Sequence, residues 1–358
     1  MWNDIIMAVL ALAISLALVP FVAKLAVKLG AVDKPNARKV HTKLMPRMGG
    51  LAIYLSFFAV LFLSHELTQE HIGLFVGGTV LVLVGIVDDI KDIPAKVKLL
   101  GQIAAACIVV LSGVRVEFMT NFILGGMFPL YIFSAPFTVL WIVAIINAVN
   151  LIDGLDGLAA GTSIIAATTM AISGYATGQT EMASIALILI GAALGFLKYN
   201  FHPAKIFMGD TGSMFLGYNL AVLAVMGFTK SFTLLSLVTP ILVLAIPILD
   251  TVFAIIRRKM NNKPIFKPDK NHLHHCLLNY GFNHRDTVLV IYTVSAVLAL
   301  CGLIMTYLNP SQGVILLFII SVIIIYGAMK LGVIGKKNEK EFQQEEASDI
   351  GSNGGQHE

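Results

Sequence analysis

The chain has 358 residues, 57% of them apolar and only 13% charged, with a mean hydropathy of +0.84 and a net charge of +4. A soluble domain carries roughly 25% charged residues, and a water-soluble fold of this size has nowhere to hide so much apolar side chain. Disordered, collagenous and disulfide-framework classes are excluded as well, which leaves an all-α polytopic membrane protein with room for ten or so helices at about 20 residues per crossing. Cys107, Cys276 and Cys301 are scattered and have neither disulfide nor metal-site spacing.

The first uncharged run, residues 5–23, is preceded only by Asp4 and followed by Lys24 and Lys28. A secretory signal has its basic flank first and a shorter apolar core, so this run predicts a membrane anchor with its N-terminus outside. Charge-free apolar runs predict eleven spans, near 4–23, 48–65, 71–87, 99–115, 128–149, 158–176, 182–198, 212–229, 234–256, 287–307 and 313–333. Asn309, Pro310 and Gly313 predict a tight turn between the last two. Residues 116–127, with Glu117 and Gly125-Gly126, predict a small hairpin on the outer face. Residues 1–335 read as one transmembrane catalytic domain, and the polar residues 336–358 as a disordered cytoplasmic tail. With these spans, 23 of the 25 Lys and Arg residues fall on one side, leaving Arg115 and Lys230 on the other. That segregation marks the crowded side as cytoplasmic.

Ionisable groups at span ends are costly and point to function. Asp88 and Asp89 close the third span. Adjacent carboxylates there need a cation or hydrogen-bond donors, and about 100° between neighbours on a helix lets one reach a metal while the other accepts hydrogen bonds or a proton. A plain polar boundary is the alternative. Asn150, Asp153 and Asp156 are spaced by threes in a Gly-bearing loop with no basic residue, so one helical face can carry all three. The alternative is an ordinary Asp/Gly turn. Asp210 sits between Gly209 and Thr211-Gly212-Ser213 at a helix start. Free N–H groups there suit phosphate and the carboxylate suits Mg²⁺, although a simple N-cap would look the same. His272, His274 and His275 follow Lys267 and Lys270. Imidazole and ammonium groups can bind phosphate or move protons, zinc lacks a partner at metalloprotein spacing, and a solvated basic loop is the third reading. The basic loop 41–50, with Lys43 and Arg47, suits polyphosphate. Asp250, within the ninth span, is expected to pair with Arg257 or Arg258 as a structural group.

These groups together fit divalent-cation chemistry on a phosphorylated substrate at the bilayer surface. No P-loop, HExxH or GxSxG pattern occurs. A transporter or flippase is the competing class, but its site would lie near the bilayer midplane.

Asp88-Asp89, NLIDGLDG at 150–157, FMGDTGS at 207–213 and HLHH at 272–275 resemble the polyprenyl-phosphate N-acetylhexosamine-1-phosphate transferases, in the family's motif order and over nearly all of the chain to about residue 335. Leu273 within the histidine motif, with its Asp269-Lys270-Asn271 lead-in, resembles the GlcNAc-1-phosphate branch, whereas the muramoyl-pentapeptide branch carries three consecutive histidines. Within that branch the chain resembles, by overall likeness and not by a motif, the transferases that start wall teichoic acid synthesis more than those that start other cell-surface polysaccharides. The resemblance implies UDP-GlcNAc and undecaprenyl phosphate as substrates, with another UDP-N-acetylhexosamine or UDP-MurNAc-pentapeptide as the alternative donor. It implies Mg²⁺, with Mn²⁺ as the alternative ion, and a multi-pass plasma-membrane protein whose active site faces the cytoplasm. No nucleic acid partner is expected, and a homodimer is left open. Carried over by position, Asp88, Asp89, His272, His274 and His275 are the catalytic candidates. Asp210 is the metal ligand, and Lys43, Lys98, Asn150, Asp153 and Asp156 are the substrate-binding candidates, with Lys39, Lys91 and Lys96 as neighbouring choices for the lysines.

Overall fold

The fold is taken from a computed structural model that describes residues 2–33, 44–120, 127–229, 238–260, 272–305, 307–308 and 310–330. Lys39, Lys43, the hairpin tip, the 261–271 lead-in, Asn309 and the 336–358 tail lie outside the described residues.

Apolar runs become helices because a chain in lipid must satisfy its own backbone hydrogen bonds. The helices are α1 (Trp2–Leu29), α2 (Gly50–Ser64), α3 (Gln69–Lys91), α4 (Ala95–Leu111), α5 (Ser134–Ile152), α6 (Leu158–Ala176) and α7 (Thr180–Asn200). They continue as α8 (Gly209–Thr229), α9 (Val238–Val243), α10 (Ala245–Met260), α11 (Leu273–Asn279), α12 (His284–Met305) and α13 (Pro310–Lys330). Two short antiparallel ladders interrupt them. β1 (Val32–Asp33) pairs with β2 (Met45–Pro46), placing Val32 opposite Pro46, and β3 (Phe118–Thr120) pairs with β4 (Met127–Pro129), placing Met119 opposite Phe128. The second ladder is the hairpin expected near 116–127.

Among the described residues, seven helical segments are long and apolar enough to cross a bilayer: Trp2–Leu29, Gln69–Lys91, Tyr131–Ile152, Leu158–Ala176, Thr180–Asn200, His284–Met305 and Ser311–Lys330. That is fewer than the eleven spans expected. α2 and α4 have 15 and 17 residues, or about 22 and 26 Å at 1.5 Å per residue, less than the roughly 30 Å hydrocarbon core. The run at 234–256 is divided between α9 and α10. α8 is long enough but walled in, with every side-chain position from 211 to 226 buried.

α8 is therefore the axis of the bundle. It packs on α3 and α5, with α2, α6 and α7 completing the wall; α1 lies along α7 and α2, and α12 along α6 and α9. Close approach depends on small residues, as usual between helices in lipid. A Cβ on Gly85 would lie 2.4 Å from Thr211 Cα, and one on Gly50 would lie 2.0 Å from Gly212 Cα. α3, α2 and the start of α8 thus meet backbone to backbone. On the outer surface, Phe21, Phe318 and Tyr326 are exposed, as expected where lipid rather than water is the solvent.

Candidate active site

The contact of α3 with α8 brings the C-terminal end of one to the N-terminal end of the other. Asp88 and Asp89 are both buried in the last turn and a half of α3. Asp89 faces α8. Its Oδ1 accepts the Asp210 N–H at 3.0 Å, and its Oδ2 accepts the Thr211 N–H at 3.2 Å and the Thr211 hydroxyl at 2.7 Å. A carboxylate satisfying the free N–H groups of a helix start also complements the helix dipole. Gly209, at φ +71°, leaves room for it, since a Cβ there would lie 2.3 Å from Asp89 Oδ2.

Asp88 faces α4. Pro94 precedes that helix and sets Lys98 in its first turn and a half. The Lys98 ammonium lies 2.7 Å from Asp88 Oδ2 and 2.7 Å from Asp210 Oδ2, while Asp88 Oδ1 accepts the Ile93 N–H at 2.9 Å. One cation therefore bridges carboxylates from two helices. Lys91 and Lys96 are exposed, so only Lys98 of the three lysines near α4 reaches the site.

The basic loop before α2 closes the other side. Phe207 N–H donates to Pro46 O at 2.8 Å, Gly49 N–H to Phe207 O at 3.0 Å and Gly50 N–H to Met208 O at 3.0 Å. This pairing aims Arg47, whose Nε is 3.6 Å from Asp89 Oδ1 and whose Nη1 is 3.8 Å from Asp92 Oδ1. Burial works against the Arg47 charge, but the carboxylates of Asp89 and Asp210 outweigh it and raise the guanidinium pKa.

From Asp210 the polar groups continue along the 150–157 loop. Asn150 donates to Ser213 Oγ at 2.8 Å. Asp153 follows the last residue of α5, and burial, then the charges of Asp210 and Asp89, push its carboxyl up to about 8. Asp156 Oδ2 takes the Ala204 N–H at 3.0 Å and His202 Nδ1 at 2.9 Å. The histidine motif reaches the same loop through His274, since a Cβ on Gly154 would lie 2.6 Å from His274 Nε2. His274 is buried, its Nδ1 has no hydrogen-bond partner among the described residues, and burial followed by His275 pushes its pKa down to about 3, so the ring is neutral. The His275 ring lies 4.1 Å from it. The His272 ring stacks parallel to that of His274, with centroids 5.9 Å apart, and Asp250 holds it: His272 Nδ1 is 2.8 Å from Asp250 Oδ2, and the Leu273 N–H donates to Asp250 Oδ1 at 2.8 Å. Asp250 thus anchors the histidine motif to α10, a partner that the expected pairing with Arg257 or Arg258 did not include.

The acidic group fits a divalent cation. Asp88, Asp89 and Asp210 each offer a carboxylate oxygen, all within 4.8 Å of one another. Oxygen donors of this kind suit Mg²⁺ or Mn²⁺, and Lys98 already shows that Asp88 and Asp210 converge on positive charge. Sequence reasoning named Arg47 only as one cation of the polyphosphate-suited loop 41–50, and Thr211 only beside Asp210 at a helix start. A Gly/Pro-shaped loop does not reveal which of its cations turns inward, and a Thr after an Asp reads as a cap.

The family model for glycosyl transferase family 4 matches residues 71–228, from α3 through α8. The chain is 46% identical over 326 residues to the "probable undecaprenyl-phosphate N-acetylglucosaminyl 1-phosphate transferase" of Bacillus subtilis (strain 168), covering 91% of this chain and 90% of that one. It is 37% identical over 322 residues to the decaprenyl-phosphate N-acetylglucosaminephosphotransferase of Mycobacterium tuberculosis (strain H37Rv), covering 81% and 79%. It is 31% identical over 312 residues to the undecaprenyl-phosphate alpha-N-acetylglucosaminyl 1-phosphate transferase of Escherichia coli (strain K12), covering 84% of each. With likeness running through almost the full length of such relatives, and with the expected motifs meeting at one end of α8, the chain belongs to the polyprenyl-phosphate N-acetylhexosamine-1-phosphate transferases of glycosyl transferase family 4.

Proposed function

We propose that the chain transfers GlcNAc-1-phosphate from UDP-GlcNAc to undecaprenyl phosphate, giving undecaprenyl-diphosphate-GlcNAc and UMP, as the first membrane step of a cell-surface polymer, wall teichoic acid in our reading. The observation that carries it is the Lys98 ammonium at 2.7 Å from both Asp88 and Asp210, beside a buried carboxylate that caps α8. Joining two anions demands positive charge at fixed positions, and this is the part of the molecule built to hold it.

In this reading eleven segments cross the membrane, with the N-terminus outside and the α3–α8 junction on the cytoplasmic side. Residues 1–335 form the catalytic unit, and 336–358 are a polar tail. The one-sided distribution of Lys and Arg supports this orientation, and α2, α4, α8 and the α9–α10 pair supply the four crossings beyond the seven long apolar helices.

Asp210, with Asp88 beside it, would hold Mg²⁺, or Mn²⁺ in its place. When bound, such an ion neutralises diphosphate charge. Lys98 and Lys43 bind phosphoryl oxygens. Asp88 accepts the proton of the lipid phosphate as Lys98 turns from it to the diphosphate. That demand is mild, because the second pKa of a phosphate is near 6, so positioning contributes more than basicity. The lipid oxygen then attacks the sugar-side phosphorus, a P–O bond forms, and the bond to UMP breaks with its electron pair leaving on UMP. The oxygens of Asp89 are occupied by α8 and Arg47, which favours a direct displacement with Asp89 as a positioning residue over a covalent intermediate on it. Asn150, Asp153 and Asp156 hold the nucleotide end, and His272, His274 and His275 line the sugar and diphosphate.

The test is UMP release by purified protein from a panel of UDP-sugars with undecaprenyl phosphate and Mg²⁺. UDP-GlcNAc is expected to lead the panel. Faster turnover of UDP-MurNAc-pentapeptide would move the chain to the other branch, and no UMP from any donor would return it to the transporter class.

A further inference from the structure

Beyond the acidic site, a second set of ligating side chains meets at the far end of the 150–157 loop. Asp156 comes from the loop after α5, His202 from the connection between α7 and α8, and His284 from the first residue of α12. Each offers a ligand atom, and the three atoms lie within 4.8 Å of one another. His202 Nδ1 is 2.9 Å from Asp156 Oδ2, and the two imidazole rings stack with centroids 4.5 Å apart. His284 Nε2 accepts the Asp156 N–H at 3.0 Å, which sets its lone pair beside the cluster, and it gives up that bond to ligate an ion. The trio is reachable from solvent, since the His202 and Asp156 side chains are 36% and 15% exposed.

We propose that Asp156, His202 and His284 form a binding site for a transition-metal divalent ion of the Zn²⁺ class, separate from the carboxylate site of Asp88, Asp89 and Asp210. The donor chemistry separates the two. Carboxylates alone suit Mg²⁺ and Mn²⁺, whereas two imidazoles with one carboxylate suit Zn²⁺ and its neighbours and leave a position for water. As neutral imidazoles, His284 can ligate through Nε2 and His202 through Nδ1 as the tautomer that carries its hydrogen on Nε2. An ion here ties α12 to two segments that are already joined. Asn200 accepts the Gly157 N–H at 3.0 Å through Oδ1 and donates to Ile206 O at 3.0 Å. The connection that leads into Asp210 is therefore fastened at its base. The site does not depend on the transferase reading.

The experiment uses full-length, tag-free protein stripped with chelator and then titrated with Zn²⁺ alone. Bound zinc and the melting temperature are read for the wild type, His202→Asn and His284→Gln. The wild type should bind one equivalent more than either variant at low Zn²⁺ and melt higher when loaded. In the variants that equivalent should weaken by roughly tenfold to a hundredfold or more, since even losing an outer-shell partner of a metal ligand costs that much. Equal zinc content and equal thermal shifts in all three proteins would overturn the site and place the ion elsewhere. Should the variants fail to fold, the zinc-edge absorption spectrum of the wild type decides: two imidazoles with oxygen donors support the site, and an all-oxygen shell overturns it.

Discussion

Replacing Lys98 by Gln separates the two jobs its ammonium can do. The side chain is 25% exposed and sits 2.7 Å from each of two carboxylate oxygens. At that separation and an effective dielectric near 20, each pair has about 6 kcal/mol of raw Coulomb attraction, most of it offset by desolvation of the three groups. A hydrogen bond to a charged group nets about 1.5–3 kcal/mol. Two bonds sharing one ammonium do not add fully, so the loss comes to about 3–4 kcal/mol. If that charge acts on the diphosphate during transfer, kcat falls about 10²–10³-fold. The divalent ion should respond in the opposite direction, because removing the ammonium leaves Asp88 and Asp210 free to take a metal. The Mg²⁺ concentration for half-maximal activity should therefore stay the same or fall. Steady-state UMP release across a Mg²⁺ titration reads both quantities. A kcat within about threefold of wild type, or a fall in kcat that extra Mg²⁺ restores, would refute this role for Lys98.

Asp89→Asn keeps an acceptor for α8 but loses the charge facing its N-terminus and Arg47. It should lower stability by about 1–2 kcal/mol, read as a lower melting temperature in detergent, and an unchanged melt would contradict the capping role. Gly85→Ala puts a methyl group 2.4 Å from the Thr211 backbone. Overpacking of this kind costs about 1–3 kcal/mol, and it should also lower kcat by displacing Asp210; a variant that melts and turns over like wild type would show that α3 and α8 do not meet there. Asp153 carries a pH signature. Its carboxyl lies near 8 in the folded chain against 3.8 for an ordinary one, so between those values the folded chain binds more protons than the unfolded chain, and stability falls as pH rises through the window. The slope from this group is at most about 1.4 kcal/mol per pH unit. Asp153→Asn should flatten the melting temperature between pH 5 and 8 in chelator (roughly that window), and parallel curves for the two proteins would refute it.

The helices were legible because lipid imposes length and apolarity together: each apolar run corresponds to one helix or, at 234–256, to two. The same signal overstated the long crossings, since a run of apolar residues does not record the break between α9 and α10, and α2 and α4 have only 15 and 17 residues. The motif carboxylates were legible as costly charges at span ends, and their convergence follows from Gly85 and Gly209, which admit α8 and the Asp89 carboxylate. Partner choice was not legible. Asp250 lies 22 positions before His272, and its hold on the histidine comes from α11 folding back onto α10. The β1–β2 ladder has two residues per strand, too few for any alternation to register. His202 and His284 are 82 positions apart, and only the bundle stacks them.

In the proposed reaction Asp210, with Asp88 beside it, places a divalent ion on the diphosphate of the donor. Phosphorus NMR of UDP-GlcNAc with substoichiometric protein and Mn²⁺ tests it without turnover, because a paramagnetic ion broadens only nuclei close to it. Wild-type protein should broaden both phosphorus lines well beyond Mn²⁺ alone, and Asp210→Asn should abolish the excess while still folding. Equal broadening by the two proteins would mean that the ion is held elsewhere.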